Sequence, residues 1–267
     1  MEHPVNDPAA PQSDGRGAPS HYLGASAGNA GPAGAPFAAP NFSGLGLRRI
    51  GIYGGSFDPV HRGHLHVAAE AQGARGLERV VFLPAAQPPH KPDQILASGA
   101  DRVAMLRMAV AGRDDWSVDG LELERSGLSY TIDTVNLVRR RWGLDPEARL
   151  FLILGSDNLR GFAQWKDAAL LLERTEPVVV PRERDLGPTL TRLHTELSPD
   201  LARRLERSIV DTDALLVSSS GVREALARGV VQESTLPPGV LEYIRARGIY
   251  GAQGAQRAPG APGQGTD

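Results

Sequence analysis

Between residues 47 and 250, five short apolar runs alternate with helix-patterned stretches, and this alternation restricts the chain to an α/β architecture. The runs lie at 49–53, 80–83, 150–154, 178–180 and 214–217, each too short for a helix and long enough for a buried strand. Between and after them, helical patterns run from Gly63 to Glu70, from a Ser98 cap to Val110, and over 131–141, 221–228 and 239–247. Strand, helix, strand in repetition predicts a doubly wound, mostly parallel sheet with helices on both faces, joined by right-handed crossovers. A foldable stretch of about 200 residues suits a single domain. Ligands of such sheets bind beyond the carboxyl ends of the strands, so the first turn after each strand is the place to look for chemistry.

The flanks are different in kind. Of the first 46 residues 25 are Gly, Pro or Ala, and residues 251–267 repeat that composition; neither offers a core, so both are expected to be disordered tails around a 47–250 domain. The chain has no cysteine, which removes disulfides, thiolate catalysis and cysteine-based metal sites together. No charged segment followed by an apolar one marks a leader, and the expectation is a cytoplasmic protein. Net charge is −2, supplied by the N-terminal tail, so no field draws the domain toward nucleic acid or a membrane. Basic residues are almost all arginine, with Lys91 and Lys166 as the only lysines.

The first strand run leads into Gly54-Gly55-Ser56-Phe57-Asp58-Pro59-Val60-His61-Arg62-Gly63-His64. Glycines at the strand end let a ligand approach the backbone, Asp58-Pro59 forms a turn, and a helix then begins whose first N–H groups attract anions. The G-x-G-x-x-G spacing of dinucleotide folds and the G-K-[ST] of a Walker A loop are both absent. His61 and His64 share a helix face as a metal pair would, yet the further ligands a metal needs are missing, and no metal site is assigned. An isolated histidine near a turn is ordinarily structural; these two stand where phosphate charge would collect.

The nine fixed positions of that run resemble the signature of the nucleotidyltransferase superfamily, whose members transfer a nucleoside monophosphate from a triphosphate and release pyrophosphate. Far downstream, Val217-Ser218-Ser219-Ser220-Gly221-Val222-Arg223 is similar to the superfamily's I-S-S-T-x-[IV]-R element, with Ser220 in place of Thr. Three further segments, Pro88-Pro89-His90-Lys91-Pro92, Ser129-Tyr130-Thr131 and Gly155-Ser156-Asp157 with Trp165, resemble those of bacterial nicotinate mononucleotide adenylyltransferases.

The resemblance implies a Rossmann-like fold and AMP transfer from ATP to nicotinate mononucleotide. It assigns His61, His64, Arg223 and Lys91 to catalysis. It places ATP against Gly54, Gly55, Ser56, Phe57, His61, His64, Gly155, Asp157, Ser218, Ser219 and Arg223, and the nicotinate nucleotide against Tyr130, Thr131, Trp165, Lys166 and Lys91. Asp157 reads equally as a ribose ligand or a helix N-cap. Mg²⁺ is expected to arrive with ATP, and a homo-oligomer is allowed. The alternatives are a sister enzyme acting on nicotinamide mononucleotide or phosphopantetheine, and a nucleotide-binding module without catalysis.

Overall fold

The computed structural model describes residues 37, 39–87, 97–125 and 127–252; Lys91 and the Pro88–Pro92 segment lie outside the described residues. Five strands form one sheet: β1 (Arg49–Gly55), β2 (Arg79–Pro84), β3 (Trp116–Val118), β4 (Arg149–Gly155) and β5 (Glu176–Val180). Every pairing is parallel and the order is β3-β2-β1-β4-β5. The chain winds outward from β1 in one direction, returns, and winds outward in the other, which puts the switch point between β1 and β4.

Strand alternation divides the core into two layers. Val80, Phe82, Phe151 and Ile153 face a layer closed by α1 (Arg62–Arg75), α2 (Gly99–Val110), α7 (Ser219–Ala227) and α8 (Val240–Arg247). Ile50, Ile52, Leu150 and Leu152 face the opposite layer under α3 (Thr131–Arg141), α4 (Ala168–Arg174), α5 (Gly187–Glu196) and α6 (Pro199–Glu206). A parallel sheet covered on both faces is what nearly continuous apolar strands require. Upstream of β1, Phe42 is buried edge-on against Trp142 with ring centroids 6.0 Å apart, and its N–H donates to the Trp142 carbonyl at 2.8 Å.

One expected strand is corrected. Residues 214–217 form no strand; Leu215 and Leu216 are exposed, and only Val217 reaches the core. The segment lies beyond the carboxyl ends of the strands, where the Val217 carbonyl accepts a hydrogen bond from Arg182 Nη2 at 2.8 Å. The fifth strand is instead β3, three residues long, too short to carry a period-2 pattern.

Candidate active site

At the carboxyl end of β1 the backbone turns sharply: Phe57 takes φ 47°, a left-handed conformation that is unfavourable for a bulky side chain. Burial offsets this, for the Phe57 ring is fully enclosed and lies edge-on to Tyr53 at 5.4 Å and His64 at 4.9 Å. Phe57 is therefore a support beneath the turn and does not line the cleft above it. Asp58, also buried, accepts hydrogen bonds on Oδ1 from the Ala97 N–H at 3.1 Å and the Tyr250 hydroxyl at 2.5 Å.

His61 is the N-cap of α1 and stacks on His64 with centroids 3.8 Å apart. The His61 N–H donates to His64 Nδ1 at 3.2 Å, which leaves Nε2–H as the donor that a neutral His64 offers a ligand. Burial lowers the His61 pKa to about 3, with the Arg182 charge adding to the effect. Burial likewise holds His64 well below its ordinary value, helped by His61 and Arg182. Both rings are neutral near pH 7. Both His61 ring nitrogens are buried, beside the first turn of α1 that the residue caps. The fold permits this crowding because residue 63 is glycine: a Cβ there would lie 3.0 Å from the His61 ring and 3.2 Å from the Val217 carbonyl.

The second motif is joined to the first. Ser218 caps α7 by accepting from the Gly221 N–H at 3.1 Å, Ser219 Oγ donates to the Pro59 carbonyl at 3.1 Å, and Arg223 Nη1 donates to the Asp58 carbonyl at 2.8 Å. Residues about 160 positions apart thus share one turn. Arg223 Nη2 also reaches Ser220 Oγ at 3.2 Å, so the hydroxyl that replaces the family's threonine is in use.

Above the switch point lies a cleft of about 230 Å³, lined on one side by Gly54, Gly55, Ser56 and His64 and on the other by Tyr130, Thr131, Trp165 and Lys166, with Asp157 beside them. His61, Gly155, Ser218, Ser219 and Arg223 stand behind or next to that wall and do not line it. The Trp165 ring rests on Phe162, 5.0 Å between centroids. Lys166 Nζ sits 4.9 Å over the Tyr130 ring and pairs with Asp133 at 2.9 Å. Tyr130 is the N-cap of α3, so the unpaired first N–H groups of that helix open at the cleft.

Asp157 is not a side-chain cap. Residues Ser156–Gln164 form a 3₁₀ helix without one, and the Asp157 carboxylate pairs with Arg182 at 3.3 Å. Gly155 makes room for this pair, since a Cβ there would meet both side chains at 2.4 Å. Arg182, absent from the sequence reading, is a cation whose charge acts on both histidines and it lines the cleft, as does the buried Glu122. A signal existed for Arg182: it follows the 178–180 run at the carboxyl end of a strand. Glu122 carried none, being one acid among several in a loop.

The cytidylyltransferase-like family model matches residues 52–225. A Neisseria meningitidis protein named probable nicotinate-nucleotide adenylyltransferase is 38% identical over 205 residues, covering 76% of this chain and 99% of that protein. A Gloeobacter violaceus protein of the same name is 40% identical over 205 residues, covering 76% and 96%. Among solved structures, a Plasmodium falciparum nicotinic acid mononucleotide adenylyltransferase complexed with NaAD aligns with a TM-score of 0.59 at 18% identity, over 77% of this chain and 98% of that one, a likeness of fold. A family model spanning both motifs, together with relatives at 38–40% identity aligned almost end to end, makes this chain a member of the cytidylyltransferase-like superfamily and, within it, of the nicotinate-nucleotide adenylyltransferase family.

Proposed function

We infer that the protein transfers AMP from ATP to nicotinate mononucleotide, forming deamido-NAD and pyrophosphate in NAD biosynthesis. One observation carries this reading: the cleft at the switch point is lined both by the Gly54–Ser56 backbone with His64 and by Tyr130, Thr131, Trp165 and Lys166. A phosphate oxygen of the mononucleotide attacks the α-phosphorus of ATP, a new P–O bond forms, and the bond to the β-phosphate bridging oxygen breaks. That nucleophile is already ionised near pH 7, so the protein's work is alignment and charge stabilisation.

In this reading His64 Nε2–H donates to the reacting phosphate, with His61 stacked behind it. Arg182 and Arg223 supply positive charge, with Ser218 and Ser219 beside the triphosphate; Lys91 is assigned to the same phosphates. The nicotinate ring stacks on Trp165, and its carboxylate meets the α3 N-terminus near Tyr130 and Thr131, with Lys166 adjacent. Among the described residues no group of three or more acidic or histidine side chains is placed to hold a metal ion, so Mg²⁺ fits as a cation held by ATP phosphate oxygens and water. Bound there, it would neutralise charge on the leaving pyrophosphate. Among the same residues no helix is long and apolar enough to cross a membrane; we place the enzyme in the cytoplasm with its two nucleotides.

Pyrophosphate release tests the reading. ATP is mixed in turn with nicotinate mononucleotide, nicotinamide mononucleotide and phosphopantetheine. The largest kcat/KM is expected for the first; a larger value for either other acceptor, or no release with any, overturns it.

A further inference from the structure

Among the described residues, four side chains from other elements hold the turn that carries the first motif. Arg102 Nη1 donates to the Ser56 carbonyl at 2.8 Å, Arg223 Nη1 to the Asp58 carbonyl, Ser219 to the Pro59 carbonyl, and the Tyr250 hydroxyl to Asp58 Oδ1. The last of these comes from the far end of the domain, in the 3₁₀ turn Ile249–Gly251 that follows α8.

Tyr250 is placed at a conformational cost. Its backbone is left-handed, φ 61° and ψ 25°, a conformation unfavourable for a residue with a large side chain. The surroundings determine it nonetheless: the ring is 9% exposed, and its hydroxyl meets a carboxylate that is 1% exposed. Burial and the Asp58 charge push the phenol's pKa upward, so it remains a donor at any working pH. The contact chain onward is short. Asp58 adjoins Phe57, which is strained at φ 47°, and the Phe57 ring lies against His64.

We propose that Tyr250 is a positioning residue for adenylyl transfer: through Asp58 and Phe57 its hydroxyl fixes the turn against which the His61–His64 pair is seated. The proposal rests on the adenylyltransferase reading for its kinetic consequence and on geometry alone for its structural one. Tyr243 gives a matched comparison. It makes the same kind of bond, hydroxyl to Asp101 Oδ1 at 2.8 Å, from α8 just before that 3₁₀ turn onto α2, without touching the first motif.

The experiment uses the full chain with Tyr250→Phe and, separately, Tyr243→Phe. Tyr250→Phe keeps the ring, and Asp58 Oδ1 keeps the Ala97 N–H, so folding is expected; kcat is taken per folded molecule by near-UV circular dichroism. Tyr250→Phe should lower kcat about 10-fold, the scale of a sub-ångström misplacement, with the KM for ATP within about 2-fold. Tyr243→Phe should leave kcat unchanged. In a His64→Ala background the Tyr250→Phe loss should shrink below about 2-fold, because both changes act on one interaction. Carbon–proton NMR signals of the two imidazole rings should move in Tyr250→Phe and not in Tyr243→Phe, a readout independent of which reaction the enzyme performs. Unmoved ring signals, wild-type kcat, or an equal loss in the His64→Ala background overturns the proposal; absence of turnover in the unmodified chain overturns the proposed function instead, and leaves the ring signals to decide this one.

Discussion

Gly63→Ala separates the demands of the site from those of the fold. The added Cβ would lie 3.0 Å from His61 Cε1 and Nδ1 and 3.2 Å from the Val217 carbonyl oxygen, so something must move by several tenths of an ångström. The His61 ring cannot retreat toward His64, already stacked 3.8 Å away, and Val217 is held by Arg182. The displacement therefore passes into the histidine pair or into the Val217–Arg182 contact. Overpacking costs about 1–3 kcal/mol, and alanine in place of glycine within a helix returns up to about 1 kcal/mol, less near the N-terminus. The net loss of about 0–3 kcal/mol lowers the melting temperature by no more than about 12 °C for a domain of this size. Turnover should fall much further, about 10²-fold, as a transition-state donor is misplaced. Gly73→Ala on the same helix is the control, because its Cβ would meet nothing within 4 Å; it should stabilise slightly and leave kcat alone. Pyrophosphate release gives kcat and circular dichroism gives the melting temperature. If Gly63→Ala turns over within about 2-fold of wild type, the crowding argument is wrong.

Three further outcomes are expected. Trp165→Ala should raise the KM for nicotinate mononucleotide about 10- to 100-fold, the worth of one stacked base, and leave the KM for ATP nearly unchanged; equal rises would remove the ring from Trp165. Arg182→Ala should lower kcat/KM for ATP about 10- to 100-fold, as expected for loss of a charge-assisted contact, and unchanged steady-state kinetics would return Arg182 to a structural role. His61, held near 3 when folded and near 6.5 when unfolded, binds a proton only in the unfolded chain between those values. Stability should thus be complete above pH 6.5 and decline by about 1.4 kcal/mol per unit below it, and His64, shifted the same way, adds to the slope. Urea unfolding at pH 7.5 and pH 5 measures this, and equal stabilities would show that the pair is not buried and neutral.

Strand positions were legible where a run was unbroken and apolar for three to five residues, because a parallel sheet covered on both faces leaves that mark. Trp116–Val118 was illegible because Ser117 interrupts it. Residues 214–217 misled because their apolar character serves a connection: only Val217 is packed, and it takes its place through its carbonyl. The same limit applies in the site. The resemblance assigned Ser219 and Arg223 to phosphate, and the contacts they make are instead to the backbone of the turn at 58–59. Phe57 has a signature position yet works beneath the surface, since a pattern fixes where a residue stands and not which way it faces. Arg182 and Tyr250 belong to no pattern read from the chain; the strand order β1-β4-β5 brings the first to the cleft, and the return of the C-terminus to α2 brings the second to Asp58.

Histidines beside a triphosphate invite treatment as cations, and the geometry argues otherwise. At 3.8 Å, two imidazolium rings would repel by about 4 kcal/mol at an effective dielectric constant of 20, on top of the burial that already disfavours charge on each. Arg182 presses in the same direction. In the proposed reaction the labour would then be divided: guanidinium groups of fixed charge, Arg182 and Arg223, would attract the polyphosphate, while neutral imidazoles would offer oriented N–H dipoles whose protons need not be gained or lost during turnover. Such donors cost no reorganisation when charge develops on the α-phosphoryl oxygens, which is the condition under which preorganised dipoles contribute most.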